Sequence, residues 1–144
     1  MSQPTPRTAK VGDRLKPFVR TTGLDNWNRY AAVNDEFVPI HMDDEAGRDA
    51  GYPSAFGMGN LQWSYLHSLL RDWLGEEGQI EALSLQFRAP NLKGQTLNAH
   101  AAVSGVREGE GGAREIDFDV WVEDQNGERL APGTATVAVY PAGA

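Results

Sequence analysis

Met58-Gly-Asn-Leu-Gln-Trp-Ser-Tyr-Leu-His-Ser-Leu-Leu-Arg-Asp-Trp-Leu-Gly75 sets the architecture of this chain. Met58, Leu61, Tyr65, Leu66, Leu69, Leu70 and Trp73 recur at spacings of three and four, and Gly75 stands where a helix stops. The pattern predicts a long helix with one apolar stripe, and such a stripe needs a sheet to cover it. The residues that follow supply one. Leu83, Leu85 and Phe87 alternate with Ser84, Gln86 and Arg88. Leu97, Ala99, Ala101 and Val103 alternate with Asn98, His100 and Ser104, and Ile116, Phe118, Val120 and Val122 with Glu115, Asp117, Asp119 and Glu123. A period of two marks half-buried strands. Asn126-Gly127, the pair favoured in a type I′ hairpin, leads into a fourth run from Arg129 to Tyr140, where Pro132-Gly133 points to a bulge or an edge. The second half reads as an antiparallel meander, with Arg107–Gly112 as a hairpin loop.

The first half is helical in patches. Thr22 is placed to cap a helix, with Asp25 reaching back as in a capping box, and Leu24, Trp27 and Ala31 share one face. Asp43 is placed to cap a short second helix through Ala46 and Ala50, stopped by Gly51 and Pro53. Val11–Arg20 is the candidate for an additional early strand. A long helix wrapped by an antiparallel sheet is an α+β layout.

Length and composition bound what such a fold is for. The chain has 144 residues, 13 Lys+Arg against 20 Asp+Glu, a net charge of −7 and no cysteine. One domain is expected over 1–144, with 1–10 as a flexible N-terminal tail. The missing cysteines remove disulfides, thiolate metal sites and a cysteine nucleophile. The acidic balance, without a Lys/Arg cluster, argues against nucleic acid, and no stretch approaches the roughly 20 apolar residues of a membrane span. The start lacks the apolar region of a signal peptide, so the cytoplasm is the expected location. Three widely separated histidines argue against a zinc site, and Asp43, Asp44 and Glu45 read as the solvated start of a helix.

The loop Tyr30–Asp43 departs from ordinary loop composition. Between Asn34 and His41 it holds an amide, two carboxylates and an imidazole, with Phe37, Val38 and Ile40 among them. Those apolar residues draw part of the loop toward the core and carry polar neighbours into a partly desolvated place, which suits proton transfer. Pro39 disfavours the helical region for Val38, so Glu36 and His41 are expected on an extended turn that aims both into one cavity. Ala55-Phe56-Gly57-Met58-Gly59-Asn60, at the head of the central helix, lets a ligand approach the backbone closely. The unpaired N–H groups there favour an oxygen carrying developing negative charge. An acid/base pair beside such a corner is a constellation for enolate-type chemistry on a thioester or similar carbonyl, one hypothesis among several on spacing alone.

Tyr30–Asp43, then Ala55-Phe56-Gly57-Met58, then Gln86–Pro90 with Lys93–Leu97, and finally Gly133-Thr134-Ala135 resemble, in order and spacing, the motifs of the MaoC-like dehydratases, a family that includes the (R)-specific enoyl-CoA hydratases. The resemblance implies a hot-dog fold, usually dimeric, with a long helix wrapped by a curved antiparallel sheet. It also implies reversible syn addition of water to a trans-2-enoyl-CoA, with coenzyme A as part of the substrate and no other cofactor. His41 matches the family's catalytic histidine, Pro39 its proline, and Gly57 the glycine that receives the thioester oxygen. The acid position departs. Glu36 stands where the family has Asp, Asp35 where it has the preceding Gly, Val38 where it has Asn, and Phe56 where it has the His of His-Gly-Met. Glu36, or Asp35 through a shifted loop, is left to fill the acid role.

Each of these residues has a plainer reading. His41 also suits a loop residue that hydrogen-bonds its own turn, and Asp35 and Glu36 suit a solvated helix end. His67 and His100 read as structural or exposed, and Trp63, Tyr65 and Trp73 as core or subunit interface. Arg88 and Lys93 flank a turn and are the basic candidates for the coenzyme A phosphates. The expected partners are an acyl-CoA and a second hot-dog chain, identical or different. Two other functions compete: a non-catalytic subunit that shapes an active partner's acyl pocket, and a thioesterase on the same fold.

Overall fold

The small residues Ala99 and Ala101 of one long strand let a helix lie close against the sheet, and around that approach the chain is built. The structure, a computed structural model, describes residues 3–143. Its elements run β1 Phe18–Thr21, α1 Leu24–Asn34, a 3-10 turn Pro39–His41, α2 Asp44–Asp49, α3 Gly59–Leu74, β2 Gly78–Leu85, β3 Thr96–Glu108, β4 Arg114–Glu123 and β5 Arg129–Val139. The five strands form one antiparallel sheet in the order β1-β3-β4-β5-β2. Ala99 faces Val122, Ala101 faces Val120 and Val103 faces Phe118 across β3 and β4, and Phe118 faces Ala135 across β4 and β5. The buried members of these pairs alternate as the period of two requires. Against them α3 buries Leu61, Leu66, Leu69, Leu70, Trp73 and Leu74. Each leucine removed from water contributes roughly 1.5–3 kcal/mol, so the helix is held by its stripe rather than by its own backbone. Gly75 closes α3 at φ +54.

Several local expectations are revised by tertiary contacts. Thr22 does not cap α1. Its hydroxyl donates to the Leu92 carbonyl at 2.6 Å, Gly23 takes the N-cap, and Asn26 rather than Asp25 accepts the Gly23 N–H. The early strand is short, because only Phe18–Thr21 pairs continuously with β3, and Arg14 adds an isolated bridge to Ala102. β2 ends at Leu85, so Phe87 lies beyond the strand and is 51% exposed, although its ring still lies against α3 at Gly59. The Asn126-Gly127 turn is not type I′, since only Gly127 of the pair has positive φ. The Asp124 carboxylate takes the Asn126 and Glu128 N–H groups, an Asx-type arrangement that sets the turn instead.

The expected tail is docked where the structure describes it. Ala9 is fully buried, Trp73 Nε1 donates to the Pro4 carbonyl at 2.7 Å, and Arg114 donates to the Pro6 and Ala9 carbonyls. Met1 and Ser2 lie outside the described residues. Asp43 caps α2 as expected, its carboxylate accepting the Ala46 N–H at 3.2 Å.

Candidate active site

His41 is placed by the chain on both sides of it. Val38, ahead of proline, is extended at φ −99 and ψ 127, and Pro39 then opens the 3-10 turn. The turn swings His41 inward, where it is 8% exposed, and the Phe56 backbone passes beside it, with Phe56 N–H donating to the Ile40 carbonyl. His41 Nδ1 lies 2.7 Å from the Phe56 carbonyl oxygen. A carbonyl only accepts, so Nδ1 carries the proton and Nε2 is left with a lone pair. The Phe56 ring meets the imidazole edge-on, with centroids 5.3 Å apart. Held by the Phe56 carbonyl and ring, the imidazole has a fixed orientation, and an Nε2 lone pair is chemically suited to accept a proton.

His41 lines a cleft of about 220 Å³ with Tyr52, Phe56, Gly57, Gly59, Gln62 and the segment Phe87–Pro90. Phe87, between Gln86 and Arg88 whose N–H groups still donate to the Pro132 and Leu130 carbonyls of β5, forms one wall, and its ring lies against Gly59 so closely that a Cβ there would come within 2.8 Å of it. A larger groove of about 970 Å³ runs along the N-terminal segment between Gln3 and Lys16, but no histidine lines it, and the candidate site is the smaller cleft that His41 lines.

The structure does not bring the four expected site residues together. Asp35 is exposed and ends α1 in the left-handed region at φ 53, a conformation that Asp tolerates better than most residues. Glu36 is half-buried and its N–H returns to the Ala31 carbonyl. Neither lines the cleft, and no carboxylate does among the described residues. Glu36 and His41 thus do not share this cleft: the left-handed Asp35 turns the chain at the helix end, and Pro39 turns it again four residues later. Gly57 does line the cleft, yet its N–H is already used: it donates to the Asn91 carbonyl at 2.7 Å. The glycine is needed for packing, since a Cβ would lie 1.7 Å from Asn91 Oδ1 and 2.5 Å from Trp27 Nε1. At the uncapped start of α3 the N–H groups of Gly59 and Asn60 have no partner among the described residues, and of the two residues Gly59 lines the cleft.

Sequence reasoning missed Gln62 and Asn91. Gln62 is 1% exposed and lines the cleft, and its place among Leu61, Leu66 and Leu69 on the apolar face was the available signal. Asn91 is fully buried, its side chain accepting from Trp27 Nε1 at 2.9 Å and donating to the Met58 carbonyl at 3.3 Å. Of the two basic candidates, Arg88 lines the cleft, whereas Lys93 is paired with Asp44 at 2.5 Å. His100 pairs with Glu123 at 2.6 Å and His67 stacks on Trp63, so both sit in local contacts away from the cleft. No group of three or more His, Cys, Asp or Glu that would hold a metal occurs among the described residues. No helix among them is long and apolar enough to cross a membrane.

Known structures share this arrangement of helix and sheet. The (R)-hydratase from A. caviae involved in PHA biosynthesis superposes with a TM-score of 0.81 at 22% identity, over 92% of this chain and 98% of that one. A chain of the ChsH1-ChsH2 complex from Mycobacterium tuberculosis gives 0.81 at 17% identity, over 92% and 100%. A chain of the HadBC (3R-hydroxyacyl-ACP dehydratase) complex from the same organism gives 0.74 at 18%, over 91% and 98%. At these identities the likeness carries the fold, which is the hot-dog fold. No curated protein matches by sequence. The family model described as MaoC like domain matches residues 7–126, from the docked N-terminal segment through the β4–β5 turn. A buried imidazole at the mouth of a helix-in-sheet wrap, within a match of that extent, makes the chain a member of the MaoC-like dehydratase family.

Proposed function

We propose that the chain is an acyl-thioester hydratase/dehydratase that adds water reversibly, on one face, across a trans-2-enoyl-CoA. The observation that carries this reading is the His41 tautomer: with Nδ1–H held by the Phe56 carbonyl, Nε2 is a fixed acceptor beside a partly apolar cleft. His41 removes a proton from water as the oxygen bonds to Cβ, and the imidazolium returns that proton to Cα. One group serving both atoms accounts for addition on one face without a carboxylate in the cleft. The Gly59 N–H at the head of α3 receives the thioester oxygen as its charge develops, in place of the occupied Gly57 N–H. Arg88 meets the coenzyme A phosphates. Substrate consumption follows from loss of the conjugated enoyl-thioester absorbance with purified protein and a panel of acyl lengths. Hydration by the chain alone supports the reading. Release of free thiol with the double bond intact replaces it by thioester hydrolysis.

A second reading draws on the absence of any carboxylate along the described cleft and on the exposed apolar side chains Phe37, Val38, Met42, Tyr52 and Phe87. In it the chain is a subunit whose hot-dog partner covers that surface and completes the acid/base set. Turnover only after mixing with a second hot-dog chain selects it.

A further inference from the structure

Two buried side-chain atoms have no hydrogen-bond partner among the described residues, Trp121 Nε1 and Gln62 Oε1. They differ in surroundings. Trp121 lies between His100 and Arg129 in a stack on the outer face of the sheet. Gln62 is 1% exposed, one turn into α3, on the wall of the cleft that holds His41. Leucine or methionine would fill such a place without leaving an acceptor unpaired, and an unpaired buried acceptor costs free energy that folding does not recover. A half-turn of the carboxamide, which exchanges its oxygen and nitrogen, presents this oxygen to a donor that enters the cleft.

We propose that Gln62 Oε1 accepts a hydrogen bond from the reacting water in hydration, and from the 3-hydroxyl of the acyl chain in the reverse direction. The inference rests on the hydratase reading. Water carries two hydrogens: His41 Nε2 takes one, Gln62 Oε1 holds the other, and the oxygen lone pair is left for Cβ. As the C–O bond forms, the first hydrogen passes to Nε2 and then to Cα, so water is added across the double bond and nothing else is consumed. The second hydrogen stays on oxygen as the product hydroxyl. A carboxamide suits this position because it stays neutral at every working pH and takes no proton from the cycle.

The test uses two coenzyme A thioethers, one with a 3-hydroxyl and one without, which cannot react because they lack the carbonyl that acidifies Cα. The wild-type protein is expected to bind the hydroxylated probe about tenfold more tightly by calorimetry, the worth of one hydrogen bond. Gln62→Met binds both alike, with a Tm equal to or above that of wild type, since an unpaired acceptor has been replaced by an apolar group of similar shape. In the hydration assay kcat falls by about tenfold or more with KM for the enoyl thioester unchanged, because the enoyl substrate has no hydroxyl to hold. Gln62→Glu adds an ionisation to the pH–rate profile, which a merely structural residue would not do. Wild type without preference for the hydroxyl, or Gln62→Met (or Gln62→Leu, should that variant fail to fold) retaining it, overturns the proposal. A preference abolished by the substitution in a protein that hydrates no enoyl thioester leaves the hydroxyl site standing and removes the hydratase reading. Hydration at wild-type rate and preference in Gln62→Met does the reverse.

Discussion

At one end of the loop Tyr30–Asp43, Asp35 closes α1 in the left-handed region and is exposed; at the other, His41 is buried with its Nδ1 hydrogen held by the Phe56 carbonyl. Five residues lie between the two, and both carry side chains suited to proton transfer. What divides them is the backbone each meets. His41 faces a segment whose N–H and C=O bond back to the loop, so it is drawn in and oriented. Asp35 and Glu36 return their N–H groups to the Ala31 carbonyl of their own helix. A titratable side chain becomes a candidate catalyst when a second segment fixes it, and residue type within a motif does not supply that segment.

The largest test of this contrast is His41→Ala, which is expected to lower enoyl-thioester hydration by at least about a hundredfold while circular dichroism shows the fold retained. A variant with wild-type kcat/KM would remove the imidazole from the mechanism. The next concerns the corner that holds Phe56 in place. Gly57→Ala drives a methyl group into Asn91 and Trp27, which are tied to each other and to the Met58 carbonyl, and should destabilise the protein by about 3 kcal/mol, read as a fall in denaturation midpoint. An unchanged midpoint would show that the corner relaxes. At the other end of the loop, Glu36→Gln is expected to change kcat by less than about threefold, far below the contribution of a general acid. A loss comparable with that of His41→Ala would place Glu36 in the cleft after all and erase the contrast.

The smallest effect is in pH. A hydrogen bond from Lys93, with the Ala55 N–H behind it, holds the Asp44 carboxyl below its ordinary value of 3.8, and Asp44 thereby ties α2 to the segment leading into Phe56. Because the folded value lies below the unfolded one, the contribution is complete above about pH 4 and is lost as pH falls through the folded value. Thermal scans between about pH 5 and pH 2 should show Asp44→Asn losing less stability than wild type over that window. Parallel losses would mean that the pair contributes nothing.

The α3 stripe and the alternating runs of β3 and β4 were legible because a period of 3.6 or of two persists over many residues, and each added residue repeats the same evidence. His41 was legible through its motif, and Asp43 through its cap position. Thr22 misled, because its hydroxyl is claimed by Leu92, a residue seventy positions away. Phe87 continued a period of two in sequence, but its strand had already ended, and the glycine at the head of α3 offered the ring a surface. Gln62 was hidden by its neighbours, as a polar residue inside an apolar stripe is read as an interruption until the cavity beside it is seen.

From its residues alone this chain declares an α+β layout, a helix that must be covered, a sheet able to cover it, and an imidazole loop preceding a glycine-rich helix start. Patterns of that kind are local, so the covalent chain is sufficient to express them. Which N–H at the glycine corner is occupied, which carboxylates stay outside the cleft and which carboxamide lines it came only from segments distant in sequence. Those outcomes depend on hydrogen-bond partners such as Asn91 and Phe56, whose availability is settled by packing.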